Sequence, residues 1–515
     1  MRSQVNTHRW QFILLTGLSM SVGWGIRGQF GGEHGAAIAG ALGAMAVVLL
    51  SGRPDWWRRI AYFAAFGAIG WAYGGGMSYM KVIAYGHSPD SMTVLYGFAS
   101  TFLLGFLWAA PGGAGTALPA YLSRDRLTEM FIPMSVVFAC WFVQDIVIDL
   151  NRSWMRGTWW AGGVPITAVL VVMAIRRRID FGSELVLYIY IGRWIGFLLL
   201  AQWAGLQLSP PRGEGWTALA GMVAGILVFC WRRELGGVAF ATVATGFLGG
   251  IGFALGQMFK IAEISTGLQT NWHSVMEQTQ GLFHGIALAV AVGFIVKRAP
   301  QLSDNPPARR WTDVFAVAFV LWLITYINFR LSPAAWTQYV STMPDRMYGI
   351  WAEAGFRPSR GFVGWFDIAY LVLGIVLVWL LALHVQRGLP LLPANWLGRG
   401  QLLYLVFLWS ITFINFAHVI VRFEPIRLVT EFAITINAAV CTALAVASQA
   451  KAPTLPDTDY SYVPLIRRFA IAGLLGAVAV SFAGWSVKRA LFGDNPVPNS
   501  AVQIRFGPNN TNDKK

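Results

Sequence analysis

The sequence predicts an all-α protein, a polytopic helical bundle in a membrane with about fifteen (fourteen or fifteen) transmembrane helices. Three observations lead to this prediction. The chain of 515 residues is 56% apolar and only 12% charged, whereas soluble domains carry about 25% charged residues. Its apolar residues fall into blocks of roughly 17–25, the length that crosses a bilayer core. Basic residues stand between these blocks in ones, twos and threes.

Short gaps separate the predicted spans, so residues 1–485 form a single multi-span membrane domain without a soluble insertion. Residues 486–515 are polar, contain Pro and Asn, and are predicted to be a disordered tail. The spans cover residues 10–25, 35–51, 59–78, 93–111, 129–149, 159–175, 183–206, 216–231, 236–258, 279–296, 312–328, 362–384, 401–421, 428–448 and 465–485.

Adjacent basic residues set the predicted orientation. With the N-terminus in the cytoplasm, alternating the spans puts every basic pair before the tail on the cytoplasmic side, as the positive-inside rule requires. These runs are Arg58–Arg59, Arg176–Arg178, Arg232–Arg233, Lys297–Arg298, Arg309–Arg310 and Arg467–Arg468. We therefore expect a multi-pass protein of the plasma (inner) membrane with an extracytoplasmic C-terminus. The net charge of +15 is spread between the apolar blocks, which argues against a nucleic-acid partner.

Two internal similarities predict helical repeats. Residues 321–329 read LWLITYINF and residues 408–416 read LWSITFINF, with seven of nine positions identical. This match predicts a duplicated hairpin over 312–384 and 401–448. A weaker similarity joins 57–83 and 231–263, where WRR precedes a Gly-rich span in each case. Chance similarity between apolar helices explains the weaker match equally well. Parallel repeats occur in transporters.

Residues 23–40, GWGIRGQFGGEHGAAIAG, contain Arg27, Glu33 and His34 among seven glycines, between two predicted spans. Ionisable groups at the bilayer indicate a functional site by default. A helix that begins near Gly32 directs free N–H groups outward and favours an anion, and Arg27 adds a bidentate donor for carboxylate or phosphate. The alternative interpretation is a tight interhelical turn whose glycines serve packing.

Other polar residues collect at the extracytoplasmic ends of the predicted spans, where they are expected to line a polar cavity. The alternative is scattered charge at the membrane interface. The predicted substrate-binding residues are Arg27, Glu33, His34, Lys81, Lys260, Glu277, His284, Arg330, Arg422 and Glu424. Glu33, His34, Glu277 and His284 are the candidates for proton coupling, because a carboxylate or imidazole can take up and release a proton.

No cofactor and no metal site is predicted. Cys140, Cys230 and Cys441 lie inside apolar blocks without metal-ligand spacing. The sequence has no Walker A motif, which argues against ATP-driven pumping.

The predicted function is that of a secondary transporter or permease for a small polar solute, anionic or sugar-like, rather than that of an enzyme. Many spans, internal repeats and a Gly-rich break favour it. The alternative is an integral membrane enzyme, a glycosyl or acyl transferase that acts on a lipid-linked substrate at the extracytoplasmic leaflet. A third possibility is a subunit of a membrane complex. Besides the lipid bilayer and the solute or lipid-linked substrate, no partner is predicted, and the oligomeric state is left open.

Overall fold

The computed structural model describes residues 9–28, 32–75, 77, 79–142, 158–206, 208, 214–302, 311–326, 365–387, 399–422, 425–448 and 460–498. This part of the chain is helical and contains no strand. The helices are α1 (Arg9–Arg27), α2 (Gly32–Leu50), α3 (Pro54–Trp57), α4 (Ile60–Gly74), α5 (Met80–Tyr85), α6 (Ser91–Tyr121), α7 (Arg124–Phe142), α8 (Thr158–Arg176), α9 (Phe181–Gly196), α10 (Glu214–Arg232), α11 (Gly236–Ile264), α12 (Trp272–Val296), α13 (Trp311–Tyr326), α14 (Trp365–Arg387), α15 (Arg399–Arg422), α16 (Pro425–Val446) and α17 (Val463–Phe492).

Seven of the described helices are long and apolar enough to cross a membrane. They are α6, α9 with its π-helical extension Phe197–Trp203, α10, α11, α12, α16 and α17. The protein is therefore a multi-pass helical membrane protein. Each predicted span overlaps one of the described helices, and α3 and α5 are short additional helices.

Side-chain caps begin three of these helices. Asp90 accepts from the backbone N–H of Thr93 at 2.7 Å and starts α6. Asp180 accepts from Ser183 N–H at 2.8 Å and starts α9. Asn271 accepts from Ser274 N–H at 3.2 Å and starts α12. Each cap satisfies one of the N–H groups that have no partner within the helix.

Helix α12 lies at the centre of the buried core, packed between α1 and α11, and α6 packs against α11 and α4. Small residues permit the close contact between α1 and α12. A Cβ atom added at Gly285 would lie 2.6 Å from the Cα of Gly17. Small-residue contacts of this kind are typical of helix pairs in membranes. On the other side of the core, α7, α8, α9 and α10 pack in sequence, with α9 tightly against α10.

An apolar cavity of about 50 Å³ lies where α7, α9 and α10 meet α4 and α6. Phe66 and Ile69 of α4, Met130 of α7 and Ile189 of α9 are among its lining residues. The lining is almost entirely hydrocarbon, so this cavity offers no chemistry for a polar ligand.

One end of the bundle is closed by arginines, and we call it the arginine-rich end (Arg53, Arg59, Arg124 and Arg298). Arg53 binds Asp55 through Nε at 2.9 Å and Nη2 at 2.5 Å. It also donates to the carbonyl oxygens of Val296, Ala299 and Pro300 at 3.1, 2.8 and 2.8 Å. These bonds tie the start of α3 to the last turn of α12. Arg59, in the turn before α4, donates to the carbonyl oxygen of Leu122 at 2.7 Å.

Several described helices extend beyond the predicted spans, α6 and α17 among them. Helix α6 continues to Tyr121 through Pro111 and Pro119, whereas the predicted span ends at residue 111. Helix α17 continues to Phe492, seven residues past the predicted end at 485, and stops at Gly493, whose φ of 57° favours glycine. Residues 486–492, assigned to the tail in the sequence analysis, are therefore helical. Residues 499–515 lie outside the described part of the chain.

Candidate functional site

A row of polar side chains follows one face of α12 into the core. His273, Glu277, Gln280 and His284 are spaced four, three and four residues apart, so they share a face of the helix. None of them is more than 6% exposed. The row, which we call the α12 stripe, covers about 16 Å from the beginning of the helix to its middle. Beyond His284 the helix continues through apolar residues to Val296.

Arg27, the last residue of α1, forms a buried ion pair with the α12 stripe. Its Nη2 atom lies 3.1 Å from Oε1 of Glu277, and the two side chains are 5% and 1% exposed. The same Nη2 donates to the Tyr79 hydroxyl at 2.8 Å, and that hydroxyl donates to Oε1 of Glu277 at 2.6 Å. His273 Nε2 lies 3.6 Å from the same carboxylate oxygen. Three side chains from three parts of the chain thus converge on one buried carboxylate.

Aromatic rings enclose the guanidinium group of Arg27. Its Cζ atom lies 4.9 Å from the ring centroid of Trp24, 5.2 Å from that of Tyr79 and 4.8 Å from that of Trp108. These are cation–π distances, and the attraction is strongest where water is excluded, as it is here. The rings hold Arg27 in place and leave Glu277 as its counter-ion.

Helix α11 faces the α12 stripe with a complementary row: Gly249, Phe253, Gly256 and Lys260. The two glycines make room for the polar side chains of α12. A Cβ at Gly256 would lie 2.5 Å from Cγ of Gln280, and one at Gly249 would lie 3.1 Å from Cδ2 of His284. Between them, the ring of Phe253 stacks on that of His284 with centroids 5.7 Å apart.

The imidazole of His284 marks the deep end of the α12 stripe. The side chain is fully buried. Its ring centroid lies 4.9 Å from that of Trp24 and 5.1 Å from that of Trp71. Three helices besides α12 therefore surround this histidine with aromatic rings, through Trp24, Trp71 and Phe253.

Lys260 is the most unusual charged residue of the cluster. It is 1% exposed, and its Nζ atom has no hydrogen-bond partner in the described part of the chain. Glu277 interacts with it electrostatically across the α11–α12 contact. His87, in the turn after α5, also interacts electrostatically with Lys260 and has a buried Nε2 without a partner among the described residues. Burial and the charge of Lys260 lower the pKa of His87 to about 3.

Hydrogen bonds fix the position of the turn after α5, which contains His87, beside the charged cluster. Gln257 of α11 donates to the carbonyl oxygen of Ile83 at 3.0 Å and accepts from Thr101 of α6 at 2.6 Å. The backbone N–H of Val497 donates to the carbonyl oxygen of His87 at 3.0 Å. The chain after α17 thereby returns to the end of the bundle that holds Arg27 and Glu277.

The structure brings together four of the predicted site residues: Arg27, Lys260, Glu277 and His284. The other six are only partly described or not described. Glu33 and His34 lie in the first turn of α2, Lys81 lies in α5 and Arg422 ends α15, but the described part of the structure does not include their side chains. Arg330 and Glu424 lie outside the described residues.

Contributors that were missing from the predicted site include Tyr79, His273 and Trp108. Tyr and Trp at span ends are ordinary interfacial residues, so their type gave no signal. For His273 the sequence did contain a usable signal, because this residue lies four positions before Glu277 and shares its helix face.

No described group of three or more His, Cys, Asp or Glu side chains is arranged to hold a metal ion. No family model matches the sequence, and searches of the curated proteins and of the solved structures give no significant match. The fold and the site define a multi-pass helical membrane protein with a buried, charged cluster that extends from one end of the bundle to its middle.

Proposed function

We propose that the protein is a secondary transporter for a small polar solute, and that the α12 stripe lines the solute's path. The observation that carries this proposal is the depth of the stripe. Polar residues at a membrane interface stop within a turn or two, whereas this row continues for about 16 Å to the middle of α12. Buried ionisable groups of this kind typically belong to substrate or ion pathways.

Proton coupling follows from the same residues. Glu277 binds Arg27 only in its ionised form, so protonation of the carboxylate weakens the ion pair. Release of Arg27 from Glu277 would loosen the contact between α1 and α12. His284 is the second proton carrier on the path, and Glu33 and His34 are the further candidates from the sequence.

We further propose that fifteen helices cross the membrane, with the N-terminus in the cytoplasm and the C-terminus outside the plasma (inner) membrane. Contacts between helix ends support the alternation. Arg53 joins the end of α2 to the end of α12, and Arg124 donates to the Arg58 carbonyl oxygen at 3.0 Å, all on the predicted cytoplasmic side. Arg27 and Glu277 join helix ends on the other side.

The duplicated hairpin is part of the same proposal, with α13–α14 and α15–α16 as its two copies. Matching positions have matching environments. Leu321 and Leu408 are 4% and 0% exposed, and the tryptophans that follow them are 48% and 37% exposed. Similar exposure at equivalent positions supports a common origin, although these helices lie outside the charged cluster.

The second candidate is an integral membrane enzyme at the extracytoplasmic leaflet. The observation in its favour is the one-sided cluster: all its charged residues lie in one half of the bundle, and the other half of α12 is apolar. Glu277 would then act as a general base and Arg27 would bind an anionic group of a lipid-linked substrate. A role as a subunit of a membrane complex is the third candidate.

The test is solute uptake by liposomes that contain the purified full-length protein, with an imposed pH gradient. The panel contains acetate, lactate, succinate, inorganic phosphate, glucose and N-acetylglucosamine. We expect one class to accumulate, uptake to stop when a protonophore collapses the gradient, and Glu277→Gln to abolish it. Glu234→Gln is the matched control, because this exposed glutamate lies in the turn after α10.

Two results would refute transport. One is the absence of uptake for the whole panel by protein that is folded and inserted. The other is turnover of an added lipid-linked sugar that depends on Glu277 while no solute crosses the membrane, which would establish the enzyme instead.

A further inference from the structure

On the basis of the proposed transport function, we infer that the substrate is a small oxyanion with a single negative charge and that Lys260 is its counter-ion. The subsite consists of Nζ of Lys260 on α11, the imidazole of His87 in the turn after α5, and the amide of Gln280 on α12. The ligand class is that of monocarboxylates and singly charged phosphates, whose oxygens share the same chemistry.

The charge balance of the cluster is the first argument. Among the described side chains, two cations, Arg27 and Lys260, face one carboxylate, Glu277. That carboxylate already accepts from Arg27 and from Tyr79. Glu263, one turn further along α11, forms no ion pair with Lys260. Among these described side chains, Lys260 therefore has no anion within hydrogen-bond distance, and a ligand with one negative charge balances it.

The second argument compares the partners of Lys260 with those of two other buried cations in this chain, Lys488 and Arg53. Lys488 is 2% exposed, and its Nζ atom donates to the Gly493 carbonyl oxygen at 2.8 Å. Arg53 is satisfied by Asp55 and three carbonyl oxygens. Lys260 is as deeply buried and has no such partner among the described residues. Burying an unsatisfied ammonium is costly, so its three donors are available for a bound group.

Neighbouring polar atoms suit an oxyanion rather than a sugar. His87 is neutral at physiological pH, as its lowered pKa requires, and a neutral imidazole can donate one hydrogen bond. Gln280 is fully buried, and its Nε2 has only a long contact of 3.5 Å to the Phe253 carbonyl oxygen. The donors of the subsite thus outnumber its one acceptor without a partner among the described residues, Oε1 of Gln280, and a sugar needs acceptors as well as donors for its hydroxyl groups.

The experiment measures binding directly, so that it does not depend on flux. Thermal unfolding of the purified full-length protein in detergent is followed with acetate, lactate, inorganic phosphate or glucose, at constant ionic strength made up with sodium chloride. We expect one of the oxyanions to raise the Tm in a saturable manner, and glucose to have no effect. In Lys260→Met the apparent Kd should rise on the order of 10- to 100-fold, the loss expected for a charged hydrogen bond.

Two further variants keep the result interpretable. Lys297→Met is the matched control, because this lysine is exposed at the other end of α12 and should leave binding unchanged. Lys260→Arg keeps the charge and should retain part of the affinity, even where the methionine variant is poorly folded. Comparison of acetate and lactate with phosphate separates the two sources of the oxyanion.

The outcomes separate this inference from the transport proposal. If glucose accumulates in liposomes and Lys260→Met transports it normally, the substrate class is wrong and transport stands. If an oxyanion binds through Lys260 but no solute crosses the membrane, the subsite stands and transport is wrong. If no oxyanion stabilises the wild-type protein beyond chloride, or Lys260→Met and Lys260→Arg both bind as the wild type does, the inference is overturned.

Discussion

Glu277 sets the electrostatic balance of the buried cluster, because it faces two cations from different helices. Arg27 pairs with it directly, and Lys260 interacts with it across the α11–α12 contact. A buried ion pair adds little to stability compared with apolar packing, but the loss of one partner leaves an uncompensated charge. The two partners should therefore differ in their sensitivity to substitution.

We expect Glu277→Gln to lower the free energy of unfolding by about 3–5 kcal/mol, because it leaves two buried cations without a carboxylate. Arg27→Met should cost less, since Glu277 keeps Lys260 and the Tyr79 hydroxyl. The double variant should be more stable than the sum of the single losses predicts. Unfolding by SDS in mixed micelles measures all three. Additive losses would show that the two residues are not coupled in the folded protein.

The sequence contained part of this information. Arg27, Lys260, Glu277 and His284 were identifiable because ionisable groups next to apolar blocks are costly. Their partners were not identifiable, because Arg27 and Glu277 are 250 residues apart and periodicity within one segment gives no long-range pairing. Tyr79 and Trp108 were missed because these residue types are common at membrane interfaces for other reasons.

At the scale of elements, α12 depends on close packing along one edge. Gly281 and Gly285 face the backbone of α1, and an added Cβ at Gly281 would lie 2.6 Å from the Met20 carbonyl oxygen. Gly293, two turns after Gly285, is different. The nearest atom to an added Cβ there is Cε1 of Phe12, at 3.7 Å.

This difference gives a matched pair of substitutions in one helix. Gly285→Ala should destabilise the protein by about 1–3 kcal/mol, because neither backbone can yield without separating α1 from α12. Gly293→Ala should be neutral or stabilising by up to about 1 kcal/mol, through the better helix propensity of alanine. Thermal unfolding of both variants in the same detergent tests this. Equal changes in the two variants would mean that the α1–α12 contact does not decide the result.

The positions of the helices were largely predictable, but some of their ends were not. Apolar blocks and basic pairs located the helices because membrane insertion depends on just these features. The predicted span for α6 ended too early, because Pro111 and the glycines after it resemble a helix end. In the fold, Gly112 and Gly115 face Trp71 and Phe66 of α4. Tertiary packing thus explains a Gly- and Pro-rich stretch that local propensity assigns to a loop.

At the scale of the whole molecule, the number of crossings decides the position of the termini. An odd number puts them on opposite sides of the membrane. Seven helices in the described part of the chain meet the length and hydropathy requirements. The orientation of each end therefore tests the proposal of fifteen spans more directly than any single helix does.

We expect a fluorescent protein that matures only in the cytoplasm to be bright at the N-terminus and dark at the C-terminus. Alkaline phosphatase, which is active only outside the cytoplasm, should be active at the C-terminus. A phosphatase fusion truncated after Arg298 serves as the control, because the prediction puts that residue in the cytoplasm. A cytoplasmic C-terminus would require an even number of spans.

The Arg53 contacts at the arginine-rich end have a mechanical consequence. Three hydrogen bonds from Arg53 to the carbonyl oxygens of Val296, Ala299 and Pro300 hold the C-terminal end of α12 and the turn after it, and two bonds to Asp55 hold Arg53 in place. Because this end is held, α12 tilts about a point near Val296. Along the helix, His284 lies about 18 Å from that point and Glu277 about 28 Å. Any tilt of α12 about this point therefore displaces the Glu277 carboxylate about one and a half times as far as the His284 imidazole. The ion pair between Arg27 and Glu277 is thus disturbed more than the contacts of His284.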